Sequence, residues 1–329
     1  MSALLTVRDL GISFGGVTAL HQVGFQVARG SITSIIGPNG AGKTTVFNCL
    51  TGFYAASSGE ILLHREEGEG DVDLVQVMGG ALCSRDYLNP WTLLRRIYDR
   101  ITGGTHKVVR SGVARTFQNI RLFRDMTVLE NLLVAQHRLV ERNILAGILR
   151  TQEYRSAESA ALDRAMGWLE VFAMQEDANR LAGELPYGQQ RRLEIVRALC
   201  TDPTLLCLDE PAAGLNAMET QALSRMILRL RDHHELTVLL IEHDMNLVMN
   251  ISDHVVVLNH GEVIAHGSPA TIQDHPAVLE AYLGVAETTR MPSVAHAPAV
   301  SPSAQFSGQE RRPPLIIDPE VADTEAFRP

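Results

Sequence analysis

Lysine is nearly absent from this chain: 329 residues contain only Lys43 and Lys107, and the formal net charge is −9. An acidic chain without a basic run has no general electrostatic means of holding a polyanion, so DNA and RNA are not expected partners. Cysteine is scarce too. The four thiols, Cys49, Cys83, Cys200 and Cys207, form no CxxC pair and no His/Cys ligand spacing, which argues against zinc and disulfide frameworks. They read as small apolar packing residues in a reducing compartment. Although 45% of residues are hydrophobic, no run approaches the roughly 18 uninterrupted apolar residues of a membrane span, so any membrane role is expected to be peripheral. The opening residues Met1 to Asp9 lack a basic region followed by an apolar core and do not read as a secretory signal, so the chain is placed in the cytoplasm.

What is present suits a substantial core, as one large domain with a subdivision or two smaller ones. Short β-rich runs are expected at Leu4 to Phe14, Gly24 to Val27 and Ser31 to Ile36, with a helix from about Lys43. Residues 64–112 read as irregular, opening on the acidic cluster Glu66, Glu67, Glu69, Asp71 and Asp73. Within them one helix is expected, capped by Asn89 and carrying Trp91, Leu94, Ile97, Tyr98 and Ile101 on one face. From about Asp125 to Ala182 the three- and four-residue spacing of Ala161, Ala165, Leu169 and Phe172 predicts a helical region. Apolar strands return at Leu205 to Leu208, Thr237 to Ile241 and Val255 to Leu258, with a helical stretch near Met218 to Arg231. That alternation argues for a parallel sheet covered on both faces. A hairpin turned by Asn259-His260-Gly261 follows. Beyond Gly284 the chain is rich in Pro, Ser and Ala, holds half of the 14 prolines, and reads as a disordered tail whose apolar run Leu315-Ile316-Ile317 is a candidate docking motif.

Gly37-Pro38-Asn39-Gly40-Ala41-Gly42-Lys43-Thr44 fits GxxxxGK[ST], directly after a β-branched strand and before a helix-compatible run, with Thr45 next in line. Glycines let the backbone wrap so that N–H groups converge on one point, and the helix that follows adds its positive N-terminal end. Phosphate oxygens fit such a cradle. Lys43 can reach β- and γ-phosphates, and the Thr44 hydroxyl can hold Mg²⁺. Leu205 to Glu210 is an apolar strand ending in two carboxylates. Neighbouring strand residues point to opposite faces, so one acid, Asp209, can order a metal shell while the other, Glu210, meets the attacking water as general base.

Leu185-Pro186-Tyr187-Gly188-Gln189-Gln190-Arg191-Arg192 precedes a helix-patterned run, and here the chain resembles the ATP-binding subunits of ABC transporters, whose signature motif lies between a helical subdomain and the acidic strand. The resemblance runs from about Leu4 to Gly284, omitting the central irregular segment. It implies an α/β P-loop NTPase fold with a RecA-like parallel-sheet core, an N-terminal antiparallel β subdomain and an inserted helical subdomain over about 125–188, with 64–112 an unusual insertion and 285–329 a tail. It further implies ATP and Mg²⁺ as ligands, with the signature residues Tyr187, Gly188 and Gln189 facing nucleotide held by a second ATP-binding subunit, head to tail. Gln118, in Arg115-Thr116-Phe117-Gln118-Asn119, matches the glutamine loop that touches Mg²⁺ and relays nucleotide state. His243, in Ile241-Glu242-His243-Asp244, matches the switch histidine, and Phe14 stands where the family stacks an aromatic on adenine, a core role being the alternative. Two residues depart from the family pattern. Pro186 replaces a serine, removing a hydroxyl and an N–H, and Asn216 replaces the aspartate of the loop that joins the two sites.

Strings such as Tyr187 to Ile195, Glu210 to Asn216, Thr45-Val46-Phe47-Asn48 and Asn131 to His137 resemble the ATPase of bacterial high-affinity branched-chain amino-acid importers, with urea or short-amide systems as relatives. That likeness implies permease subunits, indirectly a substrate-binding protein, and a place on the cytoplasmic face of the membrane. Two other readings compete: a cytosolic ABC ATPase working on DNA or ribosomes, which calls for a coiled-coil insertion, a second cassette or a basic surface, and a regulatory nucleotide-binding scaffold that never releases phosphate.

Overall fold

The computed structural model describes residues 2–65, 70–79, 104–136 and 152–288. The helix expected within residues 89–101, the acidic residues Glu66, Glu67 and Glu69, Cys83, and the tail beyond Thr288 lie outside them.

Two sheets form the frame. The first is antiparallel, in the order β2-β1-β4-β5, built from β1 (Ala3–Phe14), β2 (Val17–Ala28), β4 (Ser58–Leu63) and β5 (Val72–Asp73). Strand β1 pairs with both long neighbours, Leu5 opposite Val27 on one side and Leu63 on the other, so Leu5, Val27 and Leu63 share one buried row. The second sheet has the order β10-β9-β3-β8-β7-β6. It takes β3 (Ile32–Ile36), β6 (Val113–Arg115), β7 (Leu205–Asp209), β8 (Thr237–Ile241), β9 (His254–Asn259) and β10 (Glu262–Gly267). Five of these strands run parallel, and β10 closes the edge antiparallel to β9. Every residue of β3, β7 and β8 is buried, as expected of parallel strands covered on both faces. The β9–β10 turn has positive φ at His260 (47°) and Gly261 (81°), the pair of left-handed residues that matches the twist of a tight hairpin.

Helix α1 (Lys43–Leu50) buries Val46, Phe47 and Leu50 between the two sheets. Burial of such a side chain contributes roughly 1.5–3 kcal/mol. Short helices α2 (Leu74–Val77) and α3 (Thr105–Arg110) follow, then α4 (Val128–Ala135), α5 (Gln152–Val171), α6 (Tyr187–Leu199) and α7 (Ala217–His234). Leu132 of α4, Leu169 of α5, Leu193 and Val196 of α6 and Ile227 of α7 form a second core against the other face of β7 and β8. Helix α4 begins in a reciprocal capping box between Thr127 and Glu130. Helices α8 (Met245–Ile251), α9 (Pro269–Gln273) and α10 (Pro276–Thr288) close the far edge beside β9 and β10, where Val248, Ile272 and Val278 share a third cluster.

Several elements differ from the sequence reading. Strand β2 begins at Val17 rather than Gly24. Strand β4 was not foreseen because it opens with the turn formers Ser58-Gly59. The reason lies in packing: Gly59 has φ 92° and sits where a Cβ would lie 2.5–2.6 Å from the Asp9 and Arg8 carbonyl oxygens, at a register shift in the β1–β4 pairing. Strand β6 is only three residues long and too short to announce itself. The described parts of residues 64–112 are not irregular, since they hold β5, α2 and α3. Asp73 caps α2 through a hydrogen bond from the Val75 N–H, so one of the acidic cluster has a local structural use.

Candidate nucleotide site

The strand order sets the site. Strands β3, β8 and β7 are neighbours running the same way, so the loop after β3, the Glu242-His243 exit of β8 and the Asp209-Glu210 exit of β7 emerge side by side at one sheet edge. Ligands of open α/β sheets bind beyond the carboxyl ends of the strands.

In the glycine-rich loop the conformational demands are uneven. Gly37 has φ 151°, and a Cβ there would lie 2.1 Å from the Leu258 carbonyl oxygen. At Gly42, φ 100°, a Cβ would meet Leu20 Cδ2 at 2.8 Å, and this residue is the N-cap of α1 with no side-chain cap. The first N–H groups of α1 are therefore free of a competing side-chain acceptor and suited to an anion. Lys43 is only 6% exposed, and its Nζ donates to the carbonyls of Gly37 (2.7 Å) and Pro38 (2.9 Å). Burial lowers its pKa, and the Glu210 carboxylate pulls the other way. A cavity of about 560 Å³ is lined by Asn39, Gly40, Ala41, Gly42, Lys43, Thr44 and Thr45, by Val17, Thr18 and Ala19 of β2, and by Glu210, His243 and His260.

Glu210 is the hub. It leaves β7 with φ 47°, a left-handed conformation unusual for a side-chain-bearing residue, and its N–H donates to the Ile241 carbonyl at 2.9 Å. Gln118 Nε2 donates to Glu210 Oε2 at 2.6 Å, while His243 Nε2 lies 2.6 Å from Oε1. Both carboxylate oxygens are thus addressed by residues from separate strand exits. Behind His243, buried Glu242 accepts from the N–H groups of Ala212 (2.7 Å) and His243 (3.1 Å), and burial raises its pKa against those bonds. Asp209 is 3% exposed and is held by Arg115 Nη2 at 2.6 Å. The other arm of Arg115 donates to Asn48 of α1 and to Thr51, which caps its C-terminus, so one guanidinium ties the acidic strand to the helix that follows the loop.

The expected site residues divide into groups. Lys43, Thr44, Thr45, Glu210 and His243 meet on the one cavity, and Gln118 reaches it through Glu210. Tyr187, Gly188 and Gln189 start α6 and are not among its lining residues. Gly188 has a steric reason of its own, since a Cβ would lie 2.5 Å from Glu219 Oε1. Pro186 is the N-cap of α6, where an N–H is not required for the helix, and Asn216 forms a capping box with Glu219 at the start of α7. Phe14 is 45% exposed and stacks edge-on against Tyr54 at 5.1 Å. A core role is therefore set aside. Phe14 does not line the cavity, although Val17, opposite it in the β1–β2 register, does.

Sequence reasoning overlooked Arg115, Glu242, His260 and Tyr282, whose hydroxyl meets the Gly37 backbone from α10 and is otherwise shifted up in pKa by burial. Arg115 and Tyr282 act through chain-distant partners, His260 lines the cavity from the β9–β10 turn, and Glu242 supports its chain neighbour His243; the pattern of the sequence gives none of the four a role.

A glycine-rich loop between a buried β-strand and a helix, with two carboxylates at the exit of a parallel strand two places along the same sheet, defines a P-loop nucleotide-binding ATPase cassette. Comparison with known proteins narrows this class: the family model described as "ABC transporter" matches residues 20–213, and that of the branched-chain amino acid ATP-binding cassette transporter matches residues 262–288. The chain belongs to the ABC transporter ATP-binding family. It is 50% identical over 283 residues to the high-affinity branched-chain amino acid transport ATP-binding protein BraF of Pseudomonas aeruginosa, covering 86% of this chain and 98% of that one. It is 48% identical to the corresponding protein LivG of Escherichia coli K12, with the same coverage. Among solved structures, an ATP-binding cassette of an ABC transporter in its ADP conformation aligns with a TM-score of 0.65 at 30% identity, covering 86% of this chain and all of that one.

Proposed function

We propose that this chain is the ATP-hydrolysing subunit of an importer for branched-chain amino acids, working at the cytoplasmic face of a membrane as one of two cassettes joined head to tail and bound to permease subunits that receive solute from a binding protein. The observation that carries the catalytic half is the convergence of Lys43, Glu210 and His243 on one cavity, with Gln118 on Glu210. The 50% identity across nearly the whole of a relative named for branched-chain amino-acid transport supports the choice of importer. No helix among the described residues is long and apolar enough to cross a membrane.

In this reading ATP is the substrate. The Gly37 to Thr45 loop wraps its phosphates, and Lys43 exchanges its two loop carbonyls for β- and γ-phosphate oxygens. Thr44, Asp209 and Gln118 would supply the oxygen donors for Mg²⁺, an ion that takes one or two carboxylates and leaves its remaining positions to phosphate and water. When bound, Mg²⁺ supplies charge neutralisation across the phosphates. Glu210 takes the proton of the attacking water, and His243 and Gln118 orient its two oxygens for that task. Tyr187, Gly188 and Gln189 close over the nucleotide of the partner cassette, with the α6 dipole taking the place of the serine that Pro186 lacks. Phe14, exposed and opposite the cavity-lining Val17 in the β1–β2 register, is read as the aromatic that meets the base. Residues 1–284 are read as the cassette, with 125–188 as its signature-bearing helical part and 285–329 as an appended tail.

Glu210→Gln tests the reading. Binding of a fluorescent ATP analogue is expected within about threefold of the parent, while steady-state phosphate release falls at least about 100-fold. Undiminished hydrolysis would remove Glu210 from the role of base.

A further inference from the structure

Helix α6 carries a buried charge pair that the nucleotide cavity does not use. Arg191 and Glu194 stand three residues apart, 0% and 2% exposed, with Arg191 Nη1 2.9 Å from Glu194 Oε2. Neither charge points at solvent. Instead the pair grips the segment after β6 from both sides: Arg191 donates to the carbonyls of Phe117 (2.7 Å) and Gln118 (2.6 Å), while Glu194 Oε1 accepts from the Arg121 N–H (3.2 Å) and, at 3.5 Å, from that of Phe117. Arg191 Nη2 also donates to the Tyr187 hydroxyl at 3.2 Å, and that hydroxyl donates to the Ala213 carbonyl at 3.1 Å, in the loop after Glu210.

Buried ion pairs are poor stabilisers, because the desolvation of both charges offsets most of their attraction. Burial raises the Glu194 pKa against the pull of Arg191, which is the mark of that cost. An apolar pair of the same size would hold α6 in the core at least as well. What an apolar pair could not do is fix four backbone groups on either side of Gln118 in one register. The Gln118 side chain, 2.6 Å from Glu210, depends on that register.

We propose that Arg191 and Glu194 are positioning residues for hydrolysis: they fix the backbone that presents Gln118 to Glu210, and through Tyr187 they link this presentation to the signature surface offered to the partner cassette. Each cassette would thereby register the fit of its signature against the opposite nucleotide in the alignment of its own base. The proposal rests on Glu210 as the base.

The test uses the full-length chain, phosphate release from MgATP and binding of a fluorescent ATP analogue, in four variants. Arg191→Met combined with Glu194→Leu replaces the pair by apolar groups. It is expected to keep the thermal midpoint and to bind the analogue within about threefold, while kcat falls about 10- to 100-fold, the scale of a misplaced catalytic group. Adding Gln118→Ala should then remove less than about threefold more, because both changes act through one side chain. Arg191→Lys keeps the charge but loses the forked geometry, and its kcat should fall about 3- to 10-fold, a reading that stands even where the double variant fails to fold. A kcat within about twofold of the parent in Arg191→Lys or in the folded double variant, or a further loss of more than about threefold on adding Gln118→Ala to the double variant, overturns the proposal. Glu210→Gln separates the causes: if it still turns over, the base assignment falls and this proposal with it. If it is inactive while the pair variants remain fully active, only the positioning role falls.

Discussion

Alanine at Gly37 and at Gly40 makes the same chemical change in the same loop, yet the structure assigns the two very different costs. At Gly37 the new Cβ would lie 2.1 Å from the Leu258 carbonyl oxygen and 3.1 Å from its carbon, where a relaxed carbon–oxygen contact is about 3.3 Å. Over an ångström of overlap must be relieved by moving β9, which is locked to β3 through the Ile36–Val257 pairing in the middle of the sheet. The backbone adds its own cost: φ 151° is a region held almost only by glycine, worth about 1–3 kcal/mol for any other residue, and overpacking adds about 1–3 kcal/mol more. The lower entropy of the unfolded alanine chain returns only about 0.4–1 kcal/mol. The expected loss for Gly37→Ala is therefore about 1–5.6 kcal/mol, centred on about 3 kcal/mol. Gly40 has φ 81° with nothing within 4 Å of its Cβ position, so Gly40→Ala meets only the left-handed penalty, and its net loss is about 1 kcal/mol. Urea unfolding without nucleotide measures both. Equal losses, or a larger one for Gly40→Ala, would refute the assignment of Gly37 to a packing role.

The remaining expectations are simpler. Cys49, Cys200 and Cys207 are buried, and burial pushes each thiol up to about 12, so a disulfide reagent at pH 8 should modify no more than one of the four thiols in the folded chain and all four in urea. Rapid native modification of two or more would contradict the packing. Arg115→Lys cannot reach Asp209, Asn48 and Thr51 together, and should cost about 1–3 kcal/mol by denaturant titration, with a neutral effect counting against its bridging role. For Glu242, whose pKa burial raises above 4.5, the folded state holds the proton more tightly than the unfolded one. Its stabilising contribution is complete below pH 4.5 and is lost as pH rises through the folded pKa. The unfolding free energy of the parent minus that of Glu242→Gln should therefore fall as pH rises from 4.5, and a rise would reverse the argument.

Four of the five parallel strands were legible because they are short apolar runs, and the phosphate loop because its glycines, lysine and threonine are forced by local geometry. Glu210 and His243 were legible by type and order, but their meeting is a property of the β3-β8-β7 neighbourhood, which no local pattern encodes. Arg191 and Glu194 illustrate the opposite failure. On a helix whose apolar face is set by Leu193, Ile195, Val196 and Leu199, two opposite charges three residues apart look like a solvated pair, and only the segment folded over them makes them interior. Gly59 is a similar case, a turn residue by chemistry that serves close strand contact in the fold.

Glu210 occupies a backbone conformation in which glycine or asparagine would be at ease. A stability screen blind to turnover should therefore favour replacement at this position, because exchanging the glutamate for either residue relieves strain of the order of 1 kcal/mol. On the proposed reading of Glu210 as general base, the cassette keeps its reacting carboxylate at a point where thermodynamic selection pulls against it. Engineering that ranks variants by melting temperature alone would be expected to pass through position 210 early and to return robust proteins that bind nucleotide and do nothing with it.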